Sequence, residues 1–165
     1  MKILGLICIF ILFVSIGFIK SLDILTRKKQ IFSTISLIKT IKISLTYGQK
    51  EIWQIFEEIK ENNEFNVLSF LKDIKKDAAF KNSWINAIEK NKKLLKLEKN
   101  EKQILMSIGD FLGIIERENQ ISILQEKINM FENILLENEE QWLKKAKLYK
   151  SLGLLSAFAV IIFFL

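Results

Sequence analysis

The chain has 165 residues, half of them hydrophobic, with no histidine, no proline, one cysteine and a formal net charge of +6. The missing histidine and the lone Cys8, which lies in an apolar segment, argue against most nucleophilic, general-base and metal-dependent enzymes. Mean hydropathy is +0.21, high for a water-soluble domain and low for a transporter with many spans, so an anchored helical domain is favoured.

An apolar segment opens the chain. Ile3 to Ile19 is apolar apart from Ser15 and two glycines, which is long enough to anchor a protein in a bilayer. A cleaved signal peptide is the alternative. We favour an uncleaved anchor over residues 1–25, because only Lys2 precedes the apolar run and a second apolar segment would hold the protein in any case.

The region that follows has a helical period of apolar residues, and the alternation typical of a strand does not persist in it. Trp84 lies on the inward face of one predicted helix. The charged residues 91–103 predict a solvated loop or a frayed helix end. The predicted helices cover residues 22–47, 49–60, 65–75, 77–90 and 104–112.

Beyond residue 114, apolar residues recur at spacings typical of a heptad repeat. No proline or glycine interrupts the chain between Ile114 and Leu152, so one helix of about 50 residues and roughly 75 Å is allowed. We expect this stripe to pack inside the chain, and a seam between two copies is the alternative. The stripe consists of Ile121, Leu124, Ile128, Phe131, Leu135 and Trp142.

A second apolar segment, predicted over residues 148–165, ends the chain. As a helix it reaches about 27 Å, enough to cross a bilayer with local thinning. Basic residues flank the inner sides of both segments, which predicts a cytoplasmic central domain, 26–147, with both chain ends across the membrane. A nucleic-acid surface is not expected, since no aromatic-interleaved basic face occurs elsewhere. The membrane-flanking residues are Lys20, Arg27, Lys28, Lys29, Lys144, Lys145, Lys147 and Lys150.

Two glycines four residues apart, Gly109 and Gly113, precede the heptad stripe. On one helix they would let another backbone approach closely; alternatively, Gly113 adopts a left-handed conformation and ends the helix. We favour the break, with Gln120 able to bind across the corner. Neither GxxxxGK nor GxGxxG occurs, and adjacent carboxylates diverge on a helix, so no catalytic site, metal or cofactor is predicted.

The same region resembles a known family. Leu105, Ile108-Gly109, Leu112-Gly113, Glu116 and Gln120 are similar to the "LxxFGxxLGxxDxxxQ" signature of the stage III sporulation protein AB family, with Ile108 for its Phe and Glu116 for its Asp. Residues 147–153, KLYKSLG, resemble that family's approach to its last membrane segment.

The resemblance implies a membrane component of the sporulation complex that links mother cell and forespore, in the outer forespore membrane on the mother-cell side. It implies a soluble domain similar to inner-membrane platform proteins of type II secretion. The implied partners are a cytosolic ATPase like stage III sporulation protein AA and other membrane proteins of the complex.

These observations predict an all-α fold: a bundle of about six helices between two transmembrane helices, the last one long and continuous into the membrane. The predicted function is a non-enzymatic membrane scaffold. The alternative is a membrane-anchored coiled-coil oligomer with a structural role at a septum or in division. The candidate partner-docking residues are Ile108, Gly109, Leu112, Gly113, Glu116 and Gln120.

Overall fold

The computed structural model describes residues 2–48, 50–76 and 79–164, and these contain helices but no strand. Over these residues the chain forms five α-helices and three short 3-10 helices, so the all-α prediction is confirmed. The α-helices are α1 (Lys2–Tyr47), α2 (Ile52–Glu61), α3 (Phe80–Lys90), α4 (Lys99–Ser107) and α5 (Arg117–Phe164). The 3-10 helices are Asn63–Phe65, Ser69–Asp73 and Ile108–Asp110.

Several predicted boundaries differ from the observed ones. The helix predicted over 65–75 is divided between two 3-10 helices. The solvated loop predicted over 91–103 ends early, because Glu98 and Glu101 form a capping box that starts α4, in which Glu101 Oε2 accepts from the Glu98 backbone N–H at 2.6 Å. The predicted starts of two helices, at Gln49 and Asp77, lie outside the described residues, as do Met1 and Leu165 at the ends of the predicted anchors.

Contacts within the chain divide it into two compact units. One, here called the helix pair, consists of residues 1–28 and 138–165, the outer parts of α1 and α5. The other, here called the body, consists of residues 29–137 and contains α2, α3 and α4. The membrane boundaries predicted at residues 25 and 148 remain predictions.

The core of the body is centred on the indole of Trp84, which is fully buried, as predicted. Its ring packs edge-on against Phe56 and Phe70, with centroids 5.5 and 5.1 Å apart, and is stacked on Phe80 at 5.8 Å. Indole Nε1 donates a hydrogen bond to the Leu105 carbonyl at 2.8 Å. The aromatic cluster therefore joins α2, α3, α4 and the 3-10 helix Ser69–Asp73.

The body parts of α1 and α5 bury apolar faces. Leu124, Ile128 and Phe131 of the predicted stripe are buried inside the chain, whereas Ile121 and Leu135 are half-buried. Lys39 pairs with Glu132 at 2.6 Å along this contact. Because the centre of the stripe is occupied by intramolecular packing, the intramolecular interpretation is confirmed for these three residues. Homo-oligomerisation stays a prediction. The buried apolar side chains of α1 are Ile31, Ile35, Leu37, Ile38, Ile41 and Leu45.

Gln30 joins α1 to two loops of the body. Its Nε2 donates to the carbonyls of Leu94 at 3.0 Å and Val67 at 3.4 Å, and its Oε1 accepts from the Lys96 backbone N–H at 2.7 Å. The side chain is buried, so each of these bonds replaces contact with water. One glutamine thus fixes both loops against the helix.

Asp73 links the 3-10 helix Ser69–Asp73 to the end of α3. Its carboxylate accepts hydrogen bonds from the Lys90 ammonium and from Asn91 Nδ2, the latter at 2.7 Å. These bonds, that of Lys90 foremost, hold the pKa of Asp73 below its ordinary value of 3.8. The ionised form therefore stabilises the fold.

The substitution Asp73→Asn is expected to lower the free energy of unfolding by about 1 kcal/mol or less at neutral pH. The lowered pKa means that the stabilisation is fully present above the ordinary value of 3.8 and is lost as the pH falls through the folded-state pKa. Denaturant unfolding of both proteins across the acid range measures this. A difference that stays constant down to the lowest pH contradicts the prediction.

Candidate functional site

The signature region forms a corner between α4 and α5. Gly109 lies in the 3-10 helix Ile108–Asp110, directly against the indole of Trp84. A Cβ at Gly109 would lie 2.8 Å from Trp84 Cδ1 and 3.3 Å from Cγ, closer than two carbon atoms approach. The glycine is thus required by the buried ring, not by a second helix backbone.

The chain turns at Gly113. Its φ is +76°, in the left-handed region that side-chain-bearing residues rarely adopt, and α5 begins at Arg117. The predicted break is confirmed. A Cβ at this position would also lie 3.3 Å from Ile52 Cγ2, so the corner is tightly packed against α2.

Gln120 closes the corner from the first turn of α5. Its Oε1 accepts from the Gly113 backbone N–H at 3.1 Å, and its Nε2 donates to the Ile115 carbonyl at 2.6 Å. The residue is 7 % exposed, and both bonds are partly shielded from water. The prediction that Gln120 binds across the corner is confirmed.

Replacing Gln120 by Ala is expected to lower the free energy of unfolding by about 1 to 2 kcal/mol, because the Gly113 N–H and the Ile115 carbonyl lose their partner in partly buried surroundings. Gln120→Glu keeps the acceptor and loses the donor, so its effect should be intermediate. Asn119→Ala, an exposed neighbour, is the matched control and should change the value by about 0.5 kcal/mol or less. Equal effects of the substitutions at residues 119 and 120 in denaturant unfolding would contradict the role of Gln120 in closing the corner.

The helix pair contains a second notable feature, a close contact between two glycines. α1 and α5 meet at Gly17 and Gly153, where a Cβ on Gly153 would lie 2.9 Å from Gly17 Cα and one on Gly17 would lie 2.7 Å from the Tyr149 carbonyl oxygen. The two backbones are in direct contact. Such close approach is typical of packed membrane helices, in which dispersion contacts replace the hydrophobic effect.

Side-chain contacts on both sides of the glycines show that the two helices of the pair are antiparallel. Phe10 packs edge-on against Phe158 with centroids 5.6 Å apart. Toward the other end, the Arg27 guanidinium lies 4.7 Å from the centre of the Trp142 ring, and Lys28 pairs with Glu139 at 2.7 Å. The pair is therefore apolar at one end and held by charged groups at the other.

α1 and α5 are each long and apolar enough to cross a membrane. Their most apolar windows are only 11 % and 17 % buried, so these surfaces are not covered by the rest of the chain. This is compatible with membrane association. Among the described residues, no group of three or more His, Cys, Asp or Glu side chains is arranged to hold a metal ion.

One known family is similar to this chain over nearly its whole length. A family described as stage III sporulation protein AB matches residues 2–165. The chain belongs to the stage III sporulation protein AB family. It is also similar to Stage III sporulation protein AB of Bacillus subtilis (strain 168), with 24% identity over 168 residues that cover 98% of each chain. No solved structure matches.

Membership of the stage III sporulation protein AB family confirms the resemblance seen in the signature and indicates a role related to sporulation. In this family member the signature is largely internal: Ile108, Gly109, Leu112 and Gln120 are buried. Of the predicted docking residues, only Gly113 and Glu116 are exposed. Partner docking by this set stays a prediction.

An exposed surface surrounds the corner and was not identified from the sequence. Tyr47 is 86 % exposed and Ile114 is 63 % exposed, both large apolar side chains in contact with solvent. Arg117 Nη1 donates to the Gly48 carbonyl at 2.9 Å and so brings the end of α1 to the corner. We call Tyr47, Gly113, Ile114, Glu116 and Arg117 the corner surface.

The glycine contact of this sporulation protein AB family member was also missed. Gly17 and Ser21 are four residues apart and buried, as are Gly153 and Ala157 on α5. Small residues at this spacing predict close helix packing in membranes. Gly109 and Gly113 share this spacing, but the structure places a side-chain contact at the first and a turn at the second.

The predicted membrane-flanking residues fall into two groups. Arg27, Lys28 and Lys144 contact Trp142, Glu139 and Glu140 respectively, within the helix pair. The others are exposed, and Lys29 belongs to the body rather than to the pair. Trp142, predicted as part of the helix-packing core, is buried in the helix pair beneath Arg27. The remaining exposed residues are Lys20, Lys145, Lys147 and Lys150.

Proposed function

We propose that the chain is a non-enzymatic membrane scaffold of a sporulation complex, anchored by the helix pair and presenting the body to partners in the cytoplasm. The family assignment supports the sporulation role. The observation that carries the anchoring is the backbone contact of Gly17 with Gly153 between two largely uncovered apolar segments. Such a pair buries its backbone polar groups in helices and offers lipid an apolar surface.

The orientation follows from charge. Basic side chains lie at the end of the helix pair nearest residues 28 and 138, and the opposite apolar ends contain Phe10 and Phe158. Because positive charge favours the cytoplasmic side, this distribution supports a cytoplasmic body. In the family's setting this is the mother cell.

The proposed partner of the body is a cytosolic ATPase like stage III sporulation protein AA, with other membrane proteins of the complex beside the pair. The corner surface is the proposed contact, because it exposes an aromatic and an aliphatic side chain next to Glu116 and Arg117. Buried aromatic anchors supply most of the binding energy of typical interfaces. α5 begins at Arg117 and contributes to both units, so a change at the corner would act on a helix that continues into the pair.

The docking is tested with the full chain in neutral detergent and the purified ATPase. Tyr47→Ala combined with Ile114→Ser should weaken binding about tenfold or more, because both side chains would be buried in the complex. Leu94→Ser, which changes a leucine that is equally exposed elsewhere in the body, is the matched control. Absence of wild-type binding, or equal loss with the control, contradicts the proposed docking.

The topology is tested in a Cys8→Ser background with single cysteines at Lys99 in the body and Ile162 near the apolar end of α5. An impermeant thiol reagent should label position 99 from the cytoplasmic side only and position 162 from the opposite side only. Labelling of position 99 from the outside would exclude a cytosolic partner.

A further inference from the structure

The positive charge of the chain is concentrated in the helix pair. The pair contains eight Lys or Arg side chains against three carboxylates, so five of the six net positive charges belong to it. The body, although larger, carries a net charge of only +1. An anionic ligand that is attracted by the net charge is therefore expected to bind at the pair rather than at the body.

Lys2 lies at the apolar end of the pair, and four lysines of the basic end account for the rest of this excess. Lys28 and Lys144 are paired with Glu139 and Glu140, at 2.7 and 2.6 Å. In the part of the chain that the structure describes, the remaining lysines of the pair's basic end are exposed and form no ion pair with a carboxylate. They are Lys20, Lys145, Lys147 and Lys150.

These lysines lie where the polar and apolar surfaces of the pair meet. Lys20 comes three residues after Gly17 and Lys150 three residues before Gly153, so both adjoin the crossing of the apolar segments. The Lys150 ammonium lies 5.8 Å from the centre of the Phe18 ring, which is itself exposed. Tyr149 is also exposed beside it, and tyrosines with this placement favour the headgroup level of a bilayer.

We infer that the basic end of the helix pair binds the headgroups of anionic phospholipids in one leaflet. Lysine ammonium groups bind phosphate as point charges, and the adjoining apolar surface contacts the acyl chains of the same lipid. A soluble phosphate would make no contact with that apolar surface. A single-stranded nucleic acid would require aromatic side chains among the lysines, on which its bases could stack. The inference rests on the proposed membrane insertion and adds a preference among lipids.

The test uses the full chain in mixed micelles containing equal amounts of phosphatidylglycerol and phosphatidylcholine with the same acyl chains. Retained lipid is measured by native mass spectrometry. The wild-type chain should retain phosphatidylglycerol about tenfold over phosphatidylcholine, and the preference should fall at high salt. The combined variant Lys20→Gln, Lys145→Gln, Lys147→Gln and Lys150→Gln should retain the two lipids to within about twofold.

The matched control changes four exposed lysines of the body, Lys72, Lys76, Lys93 and Lys99, to Gln, with the same loss of charge. It should keep the wild-type preference; an equal loss would show a general charge effect and overturn the inference. So would a wild-type chain without preference, or displacement of the lipid by inorganic phosphate at the lipid's concentration. Carbonate extraction of membranes measures insertion separately, so failure of the anchoring proposal is distinguished from failure of the lipid preference.

Discussion

Trp84→Ala is expected to lower the free energy of unfolding of the body by about 4 kcal/mol, close to the loss of a whole buried aromatic side chain. The indole packs against three phenylalanine rings from α2, α3 and a 3-10 helix, and its N–H binds the Leu105 carbonyl. Removing it leaves a cavity at the centre of the aromatic cluster and an unpaired carbonyl at Leu105. Denaturant unfolding of the full chain in detergent, followed by circular dichroism, measures the change.

The control for this prediction is Trp53→Ala. Trp53 is half-buried and packs edge-on against Phe80 alone among the described rings, at 5.5 Å, so a loss of about 1 to 2 kcal/mol is expected. A second check combines substitutions. Gly109→Ala should destabilise the wild type but cost little beside Trp84→Ala, because the clash with the ring has gone. Additive effects would contradict the account of Gly109.

Gly153→Leu is expected to separate the helix pair. The added Cβ would lie 2.9 Å from Gly17 Cα and 3.0 Å from the Phe13 carbonyl oxygen, and neither backbone atom can move without displacing its helix. Overpacking of this kind costs about 3 kcal/mol. The expected result is loss of disulfide cross-linking between cysteines introduced at Phe10 and Phe158 in a Cys8→Ser background, measured in membranes.

Gly5→Leu is the matched control for the helix pair. A Cβ at Gly5 has no neighbour within 4 Å, although the residue lies in the same apolar segment of α1. Cross-linking should therefore persist in this variant. If Gly5→Leu abolished it as fully as Gly153→Leu, the effect would come from the apolar segment in general and not from the glycine contact.

The elements that the sequence predicted well are those set by local periodicity. The stripe through Leu124, Ile128 and Phe131 indicates one buried helix face. Gly113 followed by acidic residues indicates the end of one helix and the start of the next. The sequence predicted the start of α4 at residue 104 rather than at Lys99, because the first turn of this helix is charged. Charge alone does not distinguish a loop from the exposed start of a helix. Glu98 followed three residues later by Glu101 was the available signal.

The candidate site was predictable only where its contacts join residues that are close together in the sequence. Gln120 reaches a residue seven positions away, and its role was foreseen. Gln30, by contrast, binds partners 37, 64 and 66 residues away, and Gly17 meets a residue in the opposite terminal segment. Such contacts depend on tertiary packing, so neither a lone glutamine nor a single glycine in an apolar run predicts its partner. Tyr47 and Ile114 were missed for the same reason.

The separation in sequence between α1 and α5 has a consequence for synthesis. Lys39 meets Glu132 across 93 residues, and Lys42 one turn further along α1 donates to Gln125 across 83 residues. At roughly 5 to 20 residues per second, the ribosome needs about 5 to 20 s after making α1 before its partner emerges. During that interval an apolar helix face lacks this partner. Truncated chains that end before residue 117 would keep it exposed and should aggregate or be degraded.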